Sequence, residues 1–197
     1  MKVIQHLWKK FKAQTTIEQA NAIWQAVLAS PEGDVVEVGS ASGGTTIVLI
    51  TAAKIMNKNV ISVDPYPSEL EGKVKHITEG LMNGLKEEFK NNILNGQYDN
   101  IVQINKSLPD CIDKIPDNLS VVFIDGLHEY DNVANEVDLL YQKLAFGGVM
   151  CIHDIKWKKG QLSATKEGAV CNILNKLKEY KFSYIDKSVD NLFIGIK

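Results

Sequence analysis

Five side chains able to hold a ligand or move a proton stand just after apolar runs of this sequence. Asp64 follows Val60 to Val63, Asp125 and His128 follow Val121 to Ile124, and His153 and Asp154 close on Val149 to Ile152. In a parallel sheet, ligands bind outside the carboxyl ends of the strands, so these groups belong around one crevice. Asp125 and Asp154 converging there would repel each other unless a cation lay between them, and a hard divalent ion such as magnesium suits two carboxylates. An imidazole from His153 would move that preference toward manganese, iron or zinc. His128, which titrates near neutrality when unperturbed, has the chemistry of a general base. Plainer roles stand beside these. Asp125 or His128 could cap a helix starting near Glu129, Asp154 could cap the next segment, and His153 could be a hydrogen-bonded core imidazole.

The stretch from Val35 to Thr46 supplies the other half of a site. An apolar run carrying Glu37 leads into Gly39-Ser40-Ala41-Ser42-Gly43-Gly44, and an apolar segment from Ile47 to Met56 follows. This is strand, tight loop, helix, with the helix N-terminus aimed at whatever occupies the loop. Gly39, Gly43 and Gly44 permit a close approach of ligand to backbone. A dinucleotide fingerprint would need glycine where Ala41 stands, and a phosphate loop would end in Gly-Lys-Ser/Thr. Glu37 disfavours phosphate and suits an amine-bearing ligand. Asp64, about 20 residues on, can accept both hydroxyls of a ribose. A glycine-rich turn of some other α/β protein is the bland alternative.

These residues need a frame. Thr16 to Leu28 has helical apolar spacing, and Ser30-Pro31-Glu32-Gly33 turns the chain into the first strand. Pro65-Tyr66-Pro67 opens a loop, extending to Lys75, at the rim of the cofactor site. Ile77, Leu81, Leu85, Phe89 and Ile93 repeat at four-residue intervals as a long helix, with Gly80 and Gly84 threatening its continuity. Asn100 to Asn105 is a short strand and Ser107 to Ile115 a short helix. Ser120 to Ile124 is a central strand. Val133, Val137, Leu140 and Leu144 face one side of a helix expected to close at Gly147-Gly148 before a strand over Val149 to Ile152. The lysine-rich stretch from Ile155 to Gly168, with Trp157, reads as a solvated loop or a substrate lid. Val170, Ile173, Leu174 and Leu177 mark a last helix, and Phe182 to Ile185 with Leu192 to Ile196 a closing hairpin.

The chain has 197 residues, 45% apolar and 23% charged, which fits one soluble α/β domain. All 22 basic residues are lysine against 24 acidic ones, so a nucleic-acid partner is disfavoured. Cys111, Cys151 and Cys171 are unpaired in spacing and read as reduced thiols in the cytoplasm. No apolar run approaches membrane-spanning length, and Met1 to Lys12 lacks the apolar core of a signal peptide.

Glu37-x-Gly39-x-Ala41-x-Gly43 followed by Val63-Asp64 resembles the first two motifs of the class I S-adenosylmethionine-dependent methyltransferases. The half carrying Asp125-Gly126-Leu127-His128 and His153-Asp154 is similar to metal-dependent O-methyltransferases, in the branch of the macrolide-sugar methyltransferases and cephalosporin hydroxylase-like proteins. That resemblance implies a Rossmann-like three-layer α/β fold with a mainly parallel seven-stranded sheet and a C-terminal antiparallel hairpin. It implies S-adenosylmethionine as cofactor, held by Glu37, Gly39, Ser40, Ser42, Gly43, Asp64, Ser107 and Asp125, with Ser107 on the adenine. It also implies magnesium or another divalent metal on Asp125, Asp154 and His153, with Asp125 and His128 catalytic. Catechol-type relatives carry lysine at the position of His128 and Asp-Asn at the position of His153-Asp154, so both imidazoles depart from that pattern. The expectation is one domain over residues 1–197, with a helical extension over 1–33 on which a second copy could pack. It would methylate a hydroxyl of a small acceptor, sugar-like or polyol, and bind neither nucleic acid nor membrane. A metal-independent methyltransferase and a non-methylating, hydroxylase-like cofactor binder remain the alternatives.

Overall fold

A computed structural model describes residues 2–66, 79–96, 98–155, 173–186 and 188–197. The sequence expectations for Pro67 to Lys75, Ile77, Lys156 to Gly168 with Trp157, Val170 and Cys171 lie outside them. Helices α1 (Lys2–Lys10) and α2 (Ile17–Ala29) precede β1 (Val35–Val38) and α3 (Thr46–Ile55). Then come β2 (Val60–Val63), α4 (Glu79–Asn92), β3 (Ile101–Ile104), β4 (Leu119–Ile124) and α5 (Tyr130–Lys143). The described chain ends with β5 (Leu144–His153), α6 (Ile173–Lys176), β6 (Tyr184–Asp186) and β7 (Leu192–Ile196). Among the described residues no helix is long and apolar enough to cross a membrane.

The strands form one seven-stranded sheet in the order β3-β2-β1-β4-β5-β7-β6. The first five are parallel, and β7 runs antiparallel to both β5 and β6. Alternating side chains feed two cores. Val35, Val60, Val121, Phe123 and Cys151 face α1, α2, α3 and the end of α4. Val36, Val38, Val63, Ile124 and Ile152 face α5 and a 3-10 turn over Pro109–Lys114. Both faces are covered, and the central strands are accordingly mostly apolar, with Glu37, Ser62 and Ser120 buried among their apolar side chains.

Register places the site. Val63, Val38, Ile124 and Ile152 lie side by side across β2, β1, β4 and β5. The residues that follow them, Asp64, Gly39, Asp125 and His153, therefore form the next row at one edge. Gly39 has φ +86, and a Cβ there would stand 2.3 Å from the main-chain oxygen of Asp125. No other residue fits between the ends of β1 and β4.

One expectation needs correction. Helix α5 does not close at Gly147-Gly148; it stops at Lys143, and β5 begins directly at Leu144, paired with Leu119. The two glycines lie in the strand where its register shifts, and a Cβ on Gly148 would meet the Leu119 carbonyl at 2.9 Å. They serve strand pairing, not a helix end. The short helix expected over Ser107 to Ile115 is present as a 3-10 helix over Pro109–Lys114, with proline at its start. Helix α4, by contrast, runs through Gly80 and Gly84 without a break.

Gly39→Ala combines the positive φ with the clash against Asp125. It is expected to lower stability by about 3 kcal/mol or more, measured from the urea midpoint by circular dichroism.

Candidate functional site

The edge row opens into a cavity of about 620 Å³. Gly39, Ser40, Ala41, Ser42, Gly44 and Thr45 line one side, Asp64 and Pro65 the middle, and Ser107 to Asp110 the far wall. Asp125, Gly126, Leu127 and His128 close the mouth, and Asn132, Asn135 and Glu136 of α5 enter from below.

The glycine loop is tied down from several directions. Gly43 N–H donates to the Ser40 carbonyl, and Ala41 N–H donates to Asp64 Oδ2 at 2.9 Å. The Tyr66 hydroxyl, fully buried, donates to the Ala41 carbonyl at 2.7 Å. Ala41 has φ +45, so it occupies a glycine-like backbone region in the place where a dinucleotide fingerprint has its second glycine. Asp64 also accepts from Tyr66 N–H. Burial raises the Asp64 pKa, against the lowering effect of these main-chain donors. Its carboxylate has about four acceptor sites, so ribose hydroxyls can still bind beside the two N–H groups.

Two residues expected to touch the ligand do not line the cavity. Glu37 is turned by strand alternation beneath α3, fully buried, where it accepts from Thr46 Oγ1 at 2.6 Å. Burial, opposed by the Thr46 bond and reinforced by Asp125 and Asp64, pushes its carboxyl up to about 8. It holds a proton at neutral pH and is no counter-charge for an amine. Gly43 (φ +85) is needed for packing, since a Cβ would meet Ile93 Cγ1 at 2.7 Å. Gly44 does line the cavity, but its missing Cβ makes room for Ala13.

Asp125, His128 and His153 converge, and of the three Asp125 and His128 line the cavity. Asp125 Oδ1 lies 2.8 Å from His153 Nδ1 and 3.2 Å from His128 Nε2. One ligand atom from each of the three lies within 4.8 Å of the others. Asp154, with φ +55, stands behind His128: its Oδ2 is 3.2 Å from His128 Nδ1, and its Oδ1 accepts from Asn191 Nδ2. Its Oδ1 also lies 3.7 Å from His153 Nδ1, so it borders both imidazoles, beside the three residues whose ligand atoms all lie within 4.8 Å of one another. Asp125 does not cap α5 either, whose N-cap is Glu129.

The proton on His153 follows from its neighbours. Gln19 Oε1 accepts from Thr16 N–H and Gln19 Nε2 donates to the Asp190 carbonyl, which fixes the amide's orientation. His153 Nε2, 3.1 Å from that same Oε1, must therefore carry hydrogen. Its Nδ1 faces Asp125 either as an imidazolium N–H or as a lone pair with a cation between them. Burial opposes charge on His128, but Asp125 and Asp154 outweigh it and its pKa is raised. Burial likewise works against the Asp125 carboxylate, and the bonds from His128 and His153 overcome it and lower its pKa.

Sequence reasoning missed Gln19 and Glu136. Thr16-x-x-Gln19 is a legible capping box, formed as such, but its reach to His153 spans 134 residues. Glu136 interrupts the apolar stripe of Val133, Val137 and Leu140, a signal that was present in the sequence.

Residues 36–155, more than half of the chain, match the family described as a methyltransferase domain. The chain belongs to this methyltransferase-domain family. An uncharacterized protein, R132, of Acanthamoeba polyphaga mimivirus is 25% identical over 153 residues, covering 76% of this chain. The chain spans 65% of that relative's length. The fold is shared with the Podospora anserina methyltransferase PaMTH1, solved with S-adenosylhomocysteine bound, at TM-score 0.69 and 12% identity over 98% of this chain and 86% of that one. It is shared also with the O-methyltransferase TomG of Streptomyces achromogenes, solved in complex with S-adenosylmethionine, at TM-score 0.65 and 11% identity over 99% and 87%. The seven-stranded sheet of this methyltransferase domain, with its antiparallel C-terminal pair, is therefore the Rossmann-like methyltransferase fold.

The buried acids of the domain make a pH prediction. Glu37 and Glu136 titrate near 4.5 when unfolded and at about 8 when folded. Between those values the native state binds more protons, so stability is greatest at the acid end and falls as pH rises toward 8. Asp64 and His128, also raised, act in the same direction, and Asp125, lowered, acts oppositely below its ordinary range. Urea titrations of the ligand-free protein are expected to show this decline from pH 5 to 8, and Glu136→Gln is expected to make it shallower.

Proposed function

We propose that this protein is an S-adenosylmethionine-dependent methyltransferase that methylates a hydroxyl of a small acceptor, aided by a divalent metal on Asp125, His128 and His153. The observation that carries the reading is one continuous cavity from the glycine loop, past Asp64, to Asp125 and His128. The methyltransferase-domain family and the cofactors bound by PaMTH1 and TomG support the choice of ligand.

S-adenosylmethionine supplies a methyl group already activated on a sulfonium, so the chain's task is mainly alignment. The main chain of Gly39 to Ser42 borders the methionine end. Asp64, its two oxygens fixed by Ala41 and Tyr66 N–H groups, accepts the ribose hydroxyls. Ser107 and Leu108 border the adenine. Gln14, Glu129 and Asn132 give the mouth a polar wall that suits a sugar-like or polyol acceptor.

The donor set fits a divalent ion. Each imidazole turns one nitrogen toward Asp125 and has the other held by an acceptor, Gln19 Oε1 for His153 and Asp154 Oδ2 for His128. Such outer partners are what orient metal-bound histidines. An ion here would supply Lewis acidity to the acceptor hydroxyl. Two imidazoles and one carboxylate favour zinc, iron or manganese over magnesium.

A metal-independent methyltransferase is the second reading, and one observation favours it. Both nitrogens of His128 already face carboxylates, so the cluster balances its charge without an ion. The neutral form of His128 would then take the hydroxyl proton, and the imidazolium so formed is what Asp125 and Asp154 steady.

Calorimetric titration with S-adenosylhomocysteine tests the cofactor, and no binding overturns the reading. Zinc or manganese is expected to bind the wild type, and chelator to abolish methyl transfer; transfer that survives chelator selects the second reading. Asp125→Ala is expected to lose metal binding, read by calorimetry. Gln19→Leu is expected to weaken metal affinity by about 10- to 100-fold, read by calorimetry, with the same cofactor affinity as wild type.

A further inference from the structure

Glu136 is the group in the cavity whose presence nothing so far explains. It lies on α5 among Val133, Val137 and Leu140, at a position where the helix packs its apolar face, and it is only 8% exposed. Its Oε2 is buried with no hydrogen-bond partner among the described residues. A buried carboxyl left unpaired is costly unless a ligand completes it. Glu136 is also one of the residues that line the cavity. A Cβ on Gly126 would lie 3.5 Å from both Glu136 Oε1 and Val38 Cγ1, so the absent side chain at 126 leaves the space between the acid and the end of β1 open.

The part of the cavity it enters is bounded by Val38, Val63, Leu108 and Leu127, a slot with apolar walls and one polar end. Asp64, directly after Val63, lines the same cavity. A ligand whose sugar sits on Asp64 and whose amino-acid end lies by the loop extends its flat base into the slot, edge toward α5.

We propose that Glu136 binds the amino edge of the adenine, accepting an N6–H and giving its own proton to a neighbouring ring nitrogen. The assignment rests on the cofactor reading above and adds a specificity-determining residue to it. Burial, slightly offset by His128, pushes the Glu136 carboxyl up to about 8, so at neutral pH it offers one O–H donor and one acceptor side by side. An amide offers the same pair, which makes Glu136→Gln the informative conservative change. Asn132 and Asn135 also line the cavity from α5.

The test is a double-mutant cycle between protein and ligand, read by calorimetry. S-adenosylhomocysteine and its N6,N6-dimethyl analogue are titrated into the wild type, Glu136→Gln and Glu136→Ala. Wild type is expected to prefer the parent compound by about tenfold or more. Glu136→Gln is expected to keep most of that preference. Glu136→Ala is expected to bind the parent about tenfold more weakly and to treat the two ligands alike. Discrimination that persists in the alanine variant overturns the assignment while leaving the cofactor reading intact. Wild type that binds neither compound overturns both. Because the readout is a ratio between two ligands on one protein, a general loss of stability in a variant does not imitate it.

Discussion

The whole site depends on how closely two strand ends approach. β1 and β4 come together at Gly39 and Asp125 with room for a hydrogen atom and nothing larger. That approach, and the parallel register running across β2, β1, β4 and β5, set four consecutive strand ends level with one another. Everything chemically useful sits in the row beyond. A one-residue slip would turn Asp64, Asp125 and His153 to the opposite face and into the apolar core. Register here is therefore held by hydrophobic burial on both faces, and the polar row inherits its alignment from the valines and isoleucines of the strands.

Much of this was legible in the residues alone. Apolar runs bounded by turn residues gave the strands, and the position of Asp64, Asp125, His128 and His153 after them gave their meeting place, because the period of a parallel sheet is strict. What escaped was set by contacts the linear pattern does not encode. Glu37 looked available because it precedes a glycine loop, yet the helix following that loop folds back over it and takes its carboxylate with Thr46. Gly43 and Gly44 looked like ligand-facing positions, whereas the close neighbours that forbid a side chain are Ile93 and Ala13. Gly147 and Gly148 looked like a helix stop because a strand bulge and a helix end draw on the same residue type. Gln19 had a complete local explanation as a capping residue, which gave no reason to seek a second role for it.

Charge in the site is arranged in two layers. Glu37 and Glu136, deep and without a cationic partner, are held neutral by desolvation. Asp125, equally enclosed, stays ionised because two imidazoles face it. The same side-chain chemistry thus yields hydrogen-bond donors at depth and an anion at the mouth, and neighbours decide which.

Gln19 joins three distant parts of the chain at one amide: the start of α2, the turn at Asp190 and the imidazole of His153. Asn191, in that same turn, holds Asp154. A chain made only as far as Asp154 already carries the acids and imidazoles of the site and Gln19, but lacks the turn that holds Gln19 and Asp154 in place. The site is fully braced only when the turn between β6 and β7 closes onto Gln19 and Asp154.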